Sequence, residues 1–303
     1  MQHYLENLWK RTIKKETDLS SAWDQEIEIL YRYNISLENA LQYLHFENPD
    51  LNTFLLWVTQ HDSKNNAAGD LQTENTLSDA DMRFWNQNGY ILIKNAIPKE
   101  NCLATQKAIW DFLEMNPNEQ ETWYQPHPQQ SGMMVNFSDH PLLNKNRESQ
   151  KIRRAYEQLY QTTELFKTID KVSFNAPVNE HHTFKGSGLH WDVSLQLPIP
   201  EGFQGLLYLS DCEAHEGAFH CVPGFHNRIN EWLTKLQPTP SPREEAVKQL
   251  TPELVPITGE AGDFIIWHQT LPHCATANHG QSPRMVQYLT YFPKNYKANE
   301  LWL

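Results

Sequence analysis

The sequence predicts a mostly β protein with flanking helices, its strands folded as a sandwich or jelly roll. Three observations lead there. Short runs that alternate apolar and polar residues follow one another between polar turns at 168–176, 189–197, 203–210, 218–222, 254–257, 263–267, 273–278 and 284–292. Before residue 61 the apolar residues instead recur at helical spacing. Between these regions, 116–140 has no regular period at all.

Residues 1–61 read as a helical N-terminal extension. Leu5, Leu8, Trp9 and Ile13 share one face. Ser21 caps a second helix carrying Ile27, Leu30 and Tyr33. Ser36 caps a third with Leu41 and Leu44, and Pro49 lies past its end. A fourth starts near Leu51. The extension is expected to pack on the following domain, to form a homo-oligomer contact, or to dock a carrier protein. Residues 62–76 are polar and contain glycine, as a linker does.

From residue 77 onward a larger domain begins. Ser78 caps a short helix that Gly89 ends. Residues 90–93 form a strand, and Pro98 sits in the first turn of a helix reaching about Met115. The aperiodic stretch 116–140 holds Trp123, Tyr124, Gln125, His127, Met133 and Asn136. Aromatic rings and amides together suit a loop or lid over a polar organic molecule. Helix returns over 148–166. Two more helices, at 229–236 and 243–250, interrupt the strands, the second with Ser241 as cap and Pro242 in its first turn.

The chemistry concentrates in Gly188-Leu189-His190-Trp191-Asp192. On an alternating strand His190 and Asp192 project together while Trp191 faces the other way. One imidazole beside one carboxylate supplies two of the three protein ligands of a non-haem Fe(II) facial triad. The best candidate for the third is His273, 83 residues further on. Arg284 follows His273 by 11 residues and opens the last alternating run. His215, His220, His226 and His268 compete with these as ligands by residue type alone. Cys274 would face away from the metal and is read as a core residue.

Bulk composition narrows the class. The chain has 303 residues with 39% hydrophobic and 12% aromatic content, enough for a substantial core. Its net charge of −12, from 25 basic and 37 acidic residues, argues against nucleic acid and anionic membranes as partners. No apolar run is long enough to span a bilayer. The first residues lack the basic and apolar regions of a signal peptide, and Glu300-Leu301-Trp302-Leu303 is not a Ser-Lys-Leu peroxisomal address. Four cysteines without C-x-x-C pairing fit a reducing, cytoplasmic setting.

The order His-x-Asp, distal His, then Arg on a late strand resembles the Fe(II)/2-oxoglutarate dioxygenases, and among them the phytanoyl-CoA dioxygenase family. Gly217-Ala218-Phe219-His220-Cys221-Val222-Pro223-Gly224-Phe225-His226 is similar to a family segment, with Phe225 where serine is usual. Gly262-Asp263-Phe264-Ile265-Ile266-Trp267-His268, with Leu271-Pro272-His273 after it, is similar to another. Leu77-Ser78-Asp79 through Asn88-Gly89-Tyr90-Ile91-Leu92-Ile93 resembles the family's beginning, so the likeness spans roughly 77–293.

The resemblance implies a double-stranded β-helix (a cupin-like jelly roll) over 77–303, with Fe(II) held by His190, Asp192 and His273. It implies 2-oxoglutarate as cosubstrate, O2 as oxidant, and succinate and CO2 as products. Arg284 would hold the far carboxylate of 2-oxoglutarate, with Asn175, Thr276 and Tyr208 as further cosubstrate contacts. Tyr124, Gln125, Asn136, His182 and Trp267 are candidates to touch a small-molecule substrate. Halogenating relatives replace the carboxylate ligand with a small residue, so Asp192 points to hydroxylation. The expected substrate is a small polar metabolite, amino-acid-like or a natural-product intermediate. An acyl-CoA or carrier-tethered acyl group is the alternative, and a non-catalytic jelly-roll binding module is the alternative of another class.

Overall fold

The computed structural model describes residues 2–16, 23–61, 75–186, 188–236, 241–299 and 301–303. The N-terminal helices form their own bundle. Helix α1 (Gln2–Trp9) runs on into a π-helical turn, Lys10–Lys14, and is followed by α2 (Trp23–Arg32), α3 (Leu37–Glu47) and α4 (Leu51–Gln60). Leu8, Leu30, Leu44, Phe54 and Val58 fill a core separate from the rest of the molecule. Trp9 donates its indole N–H to Pro49 O at 2.8 Å, and Arg11 makes a forked ion pair with Glu26. Ser36 caps α3 as its sequence position predicts, accepting from Asn39 N. Asp50 caps α4. Ser21, the expected cap of the second helix, and residues 62–74 of the expected linker lie outside the described residues.

Helix α5 (Asp79–Asn88) opens with a reciprocal Ser78–Asp81 capping box and closes at Gly89, whose φ of 73° needs a residue without Cβ. Strand β1 (Tyr90–Ile93) and helix α6 (Lys99–Leu113) follow, with Pro98 just outside the helix rather than in its first turn. The aperiodic stretch proves partly ordered. It contains a 3-10 turn at Gln120–Tyr124 and a two-residue hairpin, β2 (Gln130–Ser131) with β3 (Met134–Val135). Helix α7 (Pro141–Arg147) was not expected. It has Pro141 at its start and the His140 ring accepting from Leu142 N. The helix expected over 148–166 is shorter: α8 (Gln150–Tyr160) ends at Gln161 in the left-handed region, and β4 (Leu165–Lys167) replaces its last turn.

The strands then arrive in the expected order. They are β5 (Val172–Asn175), β6 (Phe203–Tyr208) and β7 (Phe219–Cys221). Helices α9 (Ile229–Lys235) and α10 (Pro242–Leu250) intervene, before β8 (Val255–Ile257), β9 (Phe264–His268), β10 (His273–Ala275), β11 (Arg284–Tyr288) and β12 (Tyr291–Pro293). The run expected as one strand over 284–292 breaks into β11 and β12, which pair with different neighbours. A seven-stranded antiparallel sheet, β1-β9-β6-β11-β5-β3-β2, faces a three-stranded sheet, β10-β7-β8. Pro256 sits in β8, at the edge, where a missing N–H breaks no ladder.

Alternation sorts the large sheet's side chains. One face, with Leu206, Tyr208, Ile265, Trp267 and Val286, packs against Phe219, Cys221 and Ile257 of the small sheet. The other face, with Leu207, Phe264, Ile266 and Met285, packs under Ile109, Trp110, Ile152 and Tyr156 of α6 and α8. This is a jelly roll with a helical layer on one side.

One expected strand is not a strand. Over 189–197 only His190 pairs with another chain segment as a bridge, to His273. The expected alternation survives as extended backbone: Leu189, Trp191, Val193 and Leu195 are buried, whereas His190 and Asp192 face outward. The reason lies in the backbone partners. The carbonyls of Trp191 and Val193 are each taken by Arg243 at 2.8 Å, and Leu195 N donates to Leu303 O, so no strand ladder forms.

Phe264 is fully buried between the large sheet and its helices. Replacing it with alanine should cost about 3–5 kcal/mol of unfolding free energy, measured by denaturant titration.

Candidate active site

Two distant segments are joined by reciprocal backbone hydrogen bonds. His190 N donates to His273 O and His273 N to His190 O, both at 3.0 Å. This pairing sets the two imidazoles 4.6 Å apart, centroid to centroid. Each ring donates Nδ1–H to a carbonyl two residues back, His190 to Gly188 O at 2.7 Å and His273 to Leu271 O at 3.0 Å. A carbonyl can only accept, so Nε2 is left as the lone-pair nitrogen on both rings. Asp192 completes the cluster: its Oδ1 lies 3.5 Å from His190 Nε2 and its Oδ2 3.2 Å from His273 Nε2. One ligand atom from each of the three falls within 4.8 Å of the others.

Burial, then the neighbouring His273, push the His190 imidazole below its usual pKa, which keeps it neutral. Burial works to raise the Asp192 carboxyl. Contact with His273, then with His190 and the Gln204 amide N–H, outweighs it and holds the group well below the usual carboxylate range. Two lone-pair nitrogens and an anionic oxygen thus converge on one point. Such a set is repulsive unless a cation or a proton lies between them, and two imidazoles with one carboxylate suit Fe(II). The residues present fit the metal.

Arg284 stands at the start of β11, across from Asn175 of β5. It is 2% exposed. Its Nη1 reaches Ser173 Oγ at a long 3.5 Å, its guanidinium lies 6.0 Å from the Tyr208 ring, and its Nε has no partner. Among the described residues no carboxylate comes within ion-pair distance of it. Burial pushes the nearby Cys212 thiol up to about 11, so that group stays neutral and offers no charge. A buried cation without an anion is costly, and a bound carboxylate would offset that cost.

A cleft of about 590 Å³ joins the triad to Arg284. Of the residues singled out from sequence, His190, Asp192, His273, Arg284 and Trp267 line it. Asn175 is buried beside it, with its amide donating to Thr276 O at 3.0 Å. The Tyr208 hydroxyl donates to Ile257 O and accepts from Phe219 N, so only its ring faces Arg284. Tyr124 and His182 form a ring pair with centroids 4.9 Å apart, and Tyr124 donates to Pro177 O. Gln125 is exposed, and Asn136 lines a separate surface cleft against α3. These last four do not line the triad cleft.

Several residues there carried no local signal. Gln204 donates Nε2–H to Asp192 Oδ2 at 2.9 Å. Its only hint in the sequence is an amide in register with the inward-facing Leu206 and Tyr208. Arg243 grips the backbone on either side of Asp192, and the Trp191 indole donates to Thr270 O at 2.8 Å, anchoring the same segment from behind. Ser173, Tyr288, Met133, Met134 and Lys185 also line or abut the cleft.

What fold and cleft define together is a class, the 2-oxoglutarate-dependent non-haem iron oxygenases, which use Fe(II), 2-oxoglutarate and O2. The chain belongs to the phytanoyl-CoA dioxygenase (PhyH) family, whose profile matches residues 85–286. A Dictyostelium discoideum protein named as a phytanoyl-CoA dioxygenase is 23% identical over 258 residues, covering 69% of this chain and 74% of that protein. Among solved structures, EctD from S. alaskensis with bound Fe superposes with a TM-score of 0.56 at 16% identity, covering 75% of this chain and 80% of that one. The non-haem α-ketoglutarate-dependent carbocyclase SnoK from nogalamycin biosynthesis gives 0.52 at 21% identity, covering 71% and 83%. Among the described residues no helix is long and apolar enough to cross a membrane.

The Gln204–Asp192 contact has a measurable consequence. Gln204→Leu should weaken Fe(II) or Co(II) binding about 10- to 100-fold with the melting temperature of the metal-free protein little changed. Anaerobic calorimetry on both variants checks it.

Proposed function

We propose that His190, Asp192 and His273 hold one Fe(II) and that Arg284 anchors the distal carboxylate of 2-oxoglutarate. The convergence of one ligand atom from each of His190, Asp192 and His273 within 4.8 Å carries this reading. When bound, the iron supplies oxygen activation coupled to decarboxylation of 2-oxoglutarate to succinate and CO2. The chain does the rest. The carbonyls of Gly188 and Leu271 fix both imidazole tautomers, and Gln204 turns the Asp192 carboxylate toward the rings. Arg284 offers a two-pronged site for a carboxylate at the buried end of the cleft. The Tyr208 ring lies beside Arg284, Asn175 and Thr276 are bonded to each other behind the cleft wall, and Trp267 and Phe219 pack beside His273 and keep water from it.

The substrate we propose is a small polar metabolite, amino-acid-like or a natural-product intermediate, hydroxylated at an unactivated C–H. Two observations favour it over an acyl-CoA. Among the described residues lining the cleft, Lys185 and Arg284 are the only lysine and arginine, and Asp170 and Asp192 balance them. Several phosphate charges would need more. The net charge of −12 opposes a polyanion as well. SnoK's place in nogalamycin biosynthesis is consistent with a small-molecule substrate. The four cysteines are free and buried, which suits the cytoplasmic setting we propose.

His190→Ala, Asp192→Ala and His273→Ala should each abolish Fe(II) binding and succinate release. If all three keep both, the metal site is elsewhere. Arg284→Leu should weaken 2-oxoglutarate binding by about 2–4 kcal/mol while iron binding survives. An unchanged affinity would move the anchor to another residue.

Substrate class is decided by a metabolite screen for succinate release, followed by mass detection of one added oxygen atom. Amino-acid-like compounds should couple and long-chain acyl-CoAs should not. The reverse pattern overturns the substrate assignment and leaves the iron chemistry standing. No succinate from any compound, with iron bound, would favour a non-catalytic binding module.

A further inference from the structure

We propose that the N-terminal helical extension shapes the mouth of the cleft, with α3 clamping both ends of the β2–β3 hairpin. The proposal rests on the reading of that cleft as the substrate site. The tip of the hairpin, Ser131 to Met134, lines the same cleft as His190 and Asp192. The sheet holds the hairpin through β3, whose two residues pair with β5, and through Phe174 N, which donates to Met133 O at 2.8 Å. Each strand has two residues, and β2 is the outermost strand of its sheet. Isolated hairpins of ordinary length are already marginal in water, and this one is shorter.

Helix α3 supplies what the ladder lacks. Before the hairpin, Gln42 Nε2 donates to Gln129 Oε1 at 3.4 Å, and Gln129 Oε1 also accepts from Asn136 Nδ2 at 3.0 Å. After it, Asn39 Nδ2 donates to Asp139 Oδ2 at 2.5 Å and Ser36 N to Asp139 Oδ1 at 3.4 Å. Ser138 Oγ donates to Ser36 Oγ at 3.1 Å. The Asp139 carboxylate therefore sits at the N-terminus of α3, where the helix dipole favours an anion. Glu38 of the same helix turn pairs with Lys171, just before β5, the strand on which β3 is laid. One helix end thus fixes the hairpin's two roots and the strand beneath it.

The tip has little slack. Gly132 adopts φ +60°, and a Cβ there would stand 2.6 Å from Lys185 O on the facing loop. Moving the hairpin would therefore change the gap between Met133 and Met134 on one side and Lys185 and Gly186 on the other. Both sides of that gap line the cleft. The contacts between α3 and the hairpin roots are polar and directional, so they specify position.

Amide hydrogen exchange on the full chain, loaded with Fe(II) and 2-oxoglutarate without oxygen, tests this. Asn39→Ala should speed exchange across 130–135 about tenfold, with β6 and β9 unchanged. Gln42→Ala, which removes one contact from the bundle surface, should give a smaller rise in the same peptide. Metal and 2-oxoglutarate affinities should stay within about twofold of the parent protein. Unchanged exchange at 130–135 in both variants overturns the proposal. So does a rise spread equally over β6 and β9, which would mean that α3 only stabilises the whole domain. Loss of iron binding in the parent protein would instead sink the reading of the triad, and it is measured in the same samples.

Discussion

The reciprocal pairing of His190 with His273 is the contact on which the site depends. It is a single bridge, and it aligns two imidazoles that lie 83 residues apart in the chain. Everything else at the triad is arranged so that this bridge suffices. The Trp191 indole pins the segment from behind, Arg243 holds the carbonyls flanking Asp192, and Gln204 orients the carboxylate from the neighbouring strand. An extended segment held by side chains can place Asp192 further from the sheet than a regular strand would. That leaves the carboxylate half-exposed at the mouth, while His273 stays buried.

Arg284 imposes the complementary constraint elsewhere in the cleft. A buried guanidinium, with long contacts to Ser173 and the Tyr208 ring and no carboxylate within ion-pair distance among the described residues, is unfavourable until an anion arrives. The cleft therefore brings together a buried guanidinium and, on another part of its wall, the half-exposed Asp192 carboxylate with the two imidazoles.

The two cores of the molecule explain why the extension is distinct yet attached. The bundle closes on its own apolar residues, α2 lies against β4, and polar contacts from Ser36, Glu38, Asn39 and Gln42 reach the jelly roll. Polar contacts of this kind add little to cohesion and much to registration.

Local physics made much of this chain legible from its sequence. The alternation over 189–197 placed His190 and Asp192 on one side and Trp191 on the other, and it held even though the ladder did not form. The caps at Ser36, Ser78 and Ser241 and the stop at Gly89 were readable because capping acts within three or four residues. The tertiary structure alone decided the partners. Gln204 reaches Asp192 only because β6 runs beside that segment, and Arg243 arrives from a helix some fifty residues on. Asn136 and Gln125 belong to an aperiodic stretch whose course is set by α3 and the sheet edge, so their distance from the triad had no signature in the residues. Periodicity fixes which way a side chain points relative to its own backbone. What it points at is fixed by sheet register and loop closure, and those couple residues too far apart in sequence for any local pattern to carry.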